Sequence, residues 1–149
     1  MTITFAGHSI VSSREKIKKL VKEQICRNIT CTEKMTCYLG GYGEFDAICS
    51  SVCRELKQEY SGIEVIYVTP YIPLQAQGKK QAMEIYDATI YPPIENVPPR
   101  FAILKRNEWM IAHADLLIAY VDHSYGGAYQ SLQIAKRKKK KIINICDFL

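Results

Sequence analysis

The chain has 149 residues, about the size of one domain, and 48% of them are hydrophobic, so it buries a core and is not a disordered segment. Its net charge of +5 traces to one run, Lys136, Arg137, Lys138, Lys139, Lys140 and Lys141; the other 14 basic residues stand against 15 acidic ones. A nearly neutral chain with one basic hexamer argues against nucleic acid as a partner, and no apolar run approaches the roughly 18–20 residues that cross a bilayer.

Thr2 to Ala6 is a β-prone run ended by Gly7 and predicts a first strand. Ser12-x-x-Glu15 reads as a capping box ahead of Ile17, Leu20, Val21 and Ile25, which recur at helical spacing among lysines. Met35 to Leu39 predicts a second strand, stopped by Gly40-Gly41. Phe45, Ile48, Cys49, Val52, Cys53 and Leu56 mark one face of a second helix, and Ile63 to Thr69 a third strand. All six prolines lie between Pro70 and Pro99, so 70–99 reads as an excursion, an insert or lid, with a short helix around Gln75–Ile85. Phe101 to Ala114 predicts a helix, Leu116 to Val121 a buried strand, Ala128, Leu132 and Ala135 a last helix, and Ile142 to Ile145 a last strand. Strands alternating with helices in this way predict a single α/β domain over 1–149. Its expected form is a Rossmann-like parallel sheet of about five strands with helices on both faces.

The N-terminus has no basic region ahead of an apolar stretch, so no signal peptide is expected and the chain reads as cytoplasmic. The six cysteines include no Cys-x-x-Cys pair and the three histidines are scattered. Buried free thiols are therefore expected, with no metal site and no cofactor.

Parallel sheets bind ligands at the carboxyl ends of their strands. The first strand ends in Gly7-His8-Ser9, either a ligand contact or a simple turn. The second ends in Gly40-Gly41-Tyr42-Gly43-Glu44-Phe45-Asp46 and runs into a helix, a candidate anion cradle of free amides at a positive helix end. Glu44 and Asp46 would repel a phosphate set directly there and suit ribose hydroxyls better; the alternative is that they only complement the helix dipole. The later strand ends in Asp122-His123-Ser124-Tyr125-Gly126-Gly127, a second glycine-rich entry to a helix. Two such turns on one sheet point to a ligand with a phosphate and a sugar; Tyr42 and Tyr125, each beside a glycine pair, are either stacking groups for a base or simply two of a chain with ten tyrosines. Arg106, beside Asn107, is either a phosphate donor or a surface arginine.

In their order and spacing these segments resemble the SLOG superfamily, the Rossmann-like group that joins DNA-processing protein A and the Lonely Guy phosphoribohydrolases, and most of all its small stand-alone YpsA-like bacterial members. The resemblance rests on Gly7-His8, on Gly40 through Asp46, on Arg106-Asn107-x-x-Met110-x-x-x-Ala114-Asp115 and on Gly126-Gly127. It implies a nucleotide-derived ligand, held by Gly40, Gly41, Gly43, Gly126 and Gly127 at phosphate, by Asp46 at ribose and by Arg106 at the phosphate or glycosidic region. It also implies self-association, here a homodimer. Lonely Guy enzymes read Pro-Gly-Gly-x-Gly-Thr-x-x-Glu at the second turn, whereas this chain reads Tyr125-Gly126-Gly127-Ala128-Tyr129-Gln130-Ser131-Leu132-Gln133 and lacks the catalytic Glu. The expectation is a nucleotide-binding sensor or sequestering module. The alternative is an N-glycosidase or deoxyribosyltransferase using Asp46 or Glu44, and a third reading is DNA binding by analogy with DNA-processing protein A.

Overall fold

The computed structural model describes residues 1–29, 34–71 and 85–149. Six strands form one sheet: β1 (Thr2–Gly7), β2 (Met35–Leu39), β3 (Ile63–Val68), β4 (Ala88–Ile90), β5 (Leu116–Tyr120) and β6 (Lys141–Asn144). All neighbouring strands are parallel, in the order β4-β3-β2-β1-β5-β6. Among the described residues four helices flank it: α1 (Arg14–Cys26), α2 (Glu44–Glu59), α3 (Ala102–Ala112) and α4 (Gly126–Arg137). Short 3-10 turns precede α3 at Pro99–Phe101 and close the chain at Ile145–Phe148.

The period-2 pattern of β5 sorts the core into two faces. Leu116, Ile118 and Tyr120 pack with Ile17, Val21 and Ile25 of α1 and with Phe45, Ile48, Cys49, Val52, Cys53 and Leu56 of α2. Leu117 and Ala119 pack with Ile111 of α3 and with Leu132, Ile134 and Ala135 of α4. A strand buried on both faces reads as a continuous apolar run, which is why Leu116–Tyr120 carries no polar residue.

The expected α/β architecture stands, with one strand more than anticipated. β4 lies inside the proline-rich 70–99 stretch and pairs with β3 through Ala88↔Ile66 and Ile90↔Val68. Asp87 anchors it: its amide donates to the Val65 carbonyl, its carboxylate accepts the Val65 amide, each at 2.8 Å, and it pairs with Lys57. The helix expected around Gln75–Ile85 lies, apart from Ile85, outside the described residues.

The Ser12–Glu15 capping box does not form. Ser13 is the N-cap, in the left-handed region at φ 56°, and no side chain caps α1. The chain ahead of it is held instead by the Val11 amide, which donates to the Glu44 carboxylate at 2.6 Å. Cys37, Cys49 and Cys53 are buried as expected, while Cys26 is exposed. No described helix is long and apolar enough to cross a membrane.

Connections run one way from β1 to β4, and β5 then returns to the other side of β1. The strand order therefore reverses between β1 and β5, with Gly7 level with Tyr120 at the carboxyl end. Crevices open at such points because the loops from the two strands depart to opposite faces.

Candidate functional site

A cleft of 540 Å³ lies over this reversal point, within the size range of small-ligand sites. It draws on the ends of β1, β2 and β5, the first turns of α2 and α4, and one side of α3. Of the residues singled out in the sequence, Gly7, His8, Ser9, Gly40, Tyr42, Asp46, Arg106, Asn107, Tyr125, Gly126 and Gly127 line it. Gly41, Gly43, Glu44 and Ser124 do not.

The two glycine-rich turns, alike in sequence, differ in what their amides do. After β2, the Gly40 and Gly41 amides donate to the Asp46 carboxylate at 3.0 and 2.9 Å. The Glu44 amide donates to the Ser9 carbonyl at 2.9 Å. The turn supplies its own anion, and those amides are not free for a phosphate. Glu44 points away from the cleft, tying down Val11 and lying 3.7 Å from Arg14, so the structure does not bring it to the site.

The turn into α4 has no such internal partner. Its N-cap, Tyr125, is extended, no side chain among the described residues caps it, and its first turn contains no acid. The Gly126, Gly127 and Ala128 amides make no backbone hydrogen bond among the described residues. These are the orphan donors of a helix N-terminus, at its positive end, facing the cleft.

The glycines differ in the same way. A Cβ on Gly7 would land on the Phe45 ring, so glycine there is a packing requirement. A Cβ on Gly127 would have no atom of the described residues within 4 Å, and φ there is not in the left-handed region. Nothing in the fold demands glycine at this position.

Arg106 is neither on the surface nor a free fork. It is 4% exposed, and its Nη1 donates to the Gly40 carbonyl at 2.8 Å and to the Val68 carbonyl at 2.9 Å. Nε donates to Asn107 Oδ1 at 2.8 Å, which fixes the guanidinium plane. It clamps the ends of β2 and β3, and only Nη2 is without a partner among the described residues. A bidentate phosphate grip from Arg106 is therefore ruled out unless these bonds break. Burial lifts the Asp46 carboxyl to about 6, while the two amides and the Arg106 charge pull it down.

The rim is aromatic. Tyr42 is 79% and Tyr125 70% exposed, and both border the cleft. Tyr125 stacks on His123 with centroids 3.9 Å apart, and His123 on His8 at 3.7 Å. Asp122 and His123, absent from the sequence-derived site, line the cleft alongside them. Their position directly after the apolar β5 run was the available signal.

No family model matches the chain, and no curated protein matches it. Among solved structures it is similar to DNA processing protein A from Helicobacter pylori, described for its single-stranded DNA binding mode. The identity is 16% and the TM-score 0.63, over 95% of this chain and 63% of that one. The likeness places the chain in the Rossmann-like fold of DNA processing protein A, and this chain spans less than two thirds of that neighbour's length.

Proposed function

We propose that the chain binds a nucleotide or nucleotide-derived small molecule in the cleft, as a small SLOG-type module of the YpsA-like kind. The phosphate sits on the Gly126–Ala128 amides, the ribose faces Asp46, and the base lies against Tyr125 or Tyr42. Gly127 carries this reading: a glycine the fold does not require, at an uncapped helix start, keeps open the space a phosphate oxygen needs. Because Asp46 already satisfies the Gly40 and Gly41 amides, the phosphate role assigned to the β2 turn passes to the α4 turn alone.

One observation favours a second reading. A carboxyl raised to about 6 inside a cleft is suited to general acid work near neutral pH, which supports an N-glycosidase or transferase with Asp46 as the acting group. The fold of a DNA-binding neighbour also weakens the exclusion of nucleic acid drawn from charge alone, so single-stranded DNA belongs among the ligands tested.

The test is a thermal-shift screen of nucleosides, nucleoside monophosphates, NAD, ADP-ribose and a short single-stranded oligonucleotide, followed by chromatography of each mixture. The reading predicts stabilisation by a monophosphate but not by its nucleoside, lost in Asp46→Ala, with no new product. Free base that disappears in Asp46→Asn would establish the enzyme instead. Stabilisation by the oligonucleotide alone would establish DNA binding.

A further inference from the structure

The three histidines stand at positions 8, 113 and 123, and no metal spacing is visible in the sequence. The β1–β5 register changes this. His8 follows Gly7, which is level with Tyr120, and Asp122 and His123 leave the same end of β5. Asp122 Oδ1 lies 3.0 Å from His8 Nε2 and 2.6 Å from His123 Nδ1, and one ligand atom from each of the three residues falls within 4.8 Å of the others.

The hydrogen count in this cluster is unbalanced. His8 Nε2 accepts the Asp122 amide at 3.0 Å, so it carries no proton, yet it also faces Oδ1 at 3.0 Å. Two acceptors are then opposed with no hydrogen between them. Moving the proton to Nε2 opposes it to the Asp122 N–H instead. One contact between like groups persists in either tautomer; a cation held by Oδ1 and by the Nε2 lone pair replaces the acceptor–acceptor contact, with Nε2 giving up the Asp122 N–H, whose hydrogen bond uses that same lone pair.

We propose that His8, Asp122 and His123 bind a divalent transition-metal ion of the zinc type, through two imidazole nitrogens and one carboxylate oxygen, with a remaining position open to the cleft. Two nitrogens and one oxygen form a borderline donor set that suits Zn²⁺ or Co²⁺ better than Mg²⁺ or Ca²⁺. Ligand bonds of about 2.0–2.2 Å in a tetrahedron separate the donor atoms by about 3.3 Å, so the cluster has to open slightly. The His8 and His123 rings are parallel within 9° with centroids 3.7 Å apart, so their lone pairs lie in separate parallel planes and do not converge on one ion. Coordination therefore tilts one ring out of the stack, and His123, whose side chain is one third exposed, is the one free to move. The open position lies on the same cleft as the α4 amides.

The experiment is a titration of the full chain with Co²⁺ in nucleotide-free and phosphate-free buffer, so its result is independent of nucleotide binding. The expected result is one equivalent bound with visible ligand-field bands of four- or five-coordinate cobalt, displaced by Zn²⁺. His123→Ala, checked for its fold by circular dichroism, should weaken binding at least tenfold. A thiolate-to-cobalt charge-transfer band, no binding at a tenfold metal excess, or equal affinity in His123→Ala would each overturn the proposal.

Discussion

At the scale of single residues, Gly40 shows how the base of the cleft is fixed. Its N–H goes to Asp46 and its carbonyl to Arg106, so the peptide units on both sides of Gly40 are held. Arg106→Ala strands two carbonyls that share one donor nitrogen, and chemical denaturation should show a loss of about 2–4 kcal/mol. Asp46 sets a pH dependence of definite sign. An aspartate titrates near 3.9 in an unfolded chain and here near 6, so between those values the folded state holds more protons. Its contribution to stability is fullest below about 4 and declines as pH rises through about 6. Carbon-detected NMR of the Asp46 carboxyl should place its midpoint near 6; a midpoint near 4 would remove both this dependence and the main support for general acid work.

At the scale of elements, two helix starts that look equivalent in sequence behave in opposite ways. The glycines of Gly40–Gly43 and Gly126–Gly127 were legible, and so was their place at strand ends. That Asp46 folds back onto the Gly40 and Gly41 amides was not, because it depends on how far α2 has turned by its third residue. Glu44 illustrates the same limit. Its partner, Val11, lies 33 positions away and meets it only once α2 has docked. Glu44→Gln should therefore cost about 1 kcal/mol in denaturation and leave ligand affinity unchanged, since it holds a loop and not a ligand. Lost affinity with stability intact would return Glu44 to the site. β4 escaped notice for a related reason: three residues ahead of Pro92-Pro93 give no periodicity, and Asp87 fixes them through contacts with Val65 and Lys57.

At the scale of the whole molecule, the basic run and the cleft occupy opposite ends of the sheet. Lys136 and Arg137 end α4, Lys141 opens β6, and Lys140 Nζ donates to the Ala112 carbonyl at the end of α3 at 3.2 Å. Within the run that gives the chain its net positive charge, Lys136, Arg137 and Lys140 thus lie at the negative ends of helices. The recognition we propose lies at the strand ends, where the start of α4 has neither a side-chain cap among the described residues nor an acid in its first turn. Isothermal titration of the wild type and of Gly127→Ala with a nucleoside monophosphate tests this most directly. A Cβ on the first turn tilts toward the helix N-terminus, where the proposed phosphate would sit, and meets no atom of the described residues. Gly127→Ala should therefore raise the stability of the free protein, by up to about 1 kcal/mol, while weakening the monophosphate at least tenfold. Equal affinity in the two proteins, or no binding of any monophosphate to the wild type, would contradict the account.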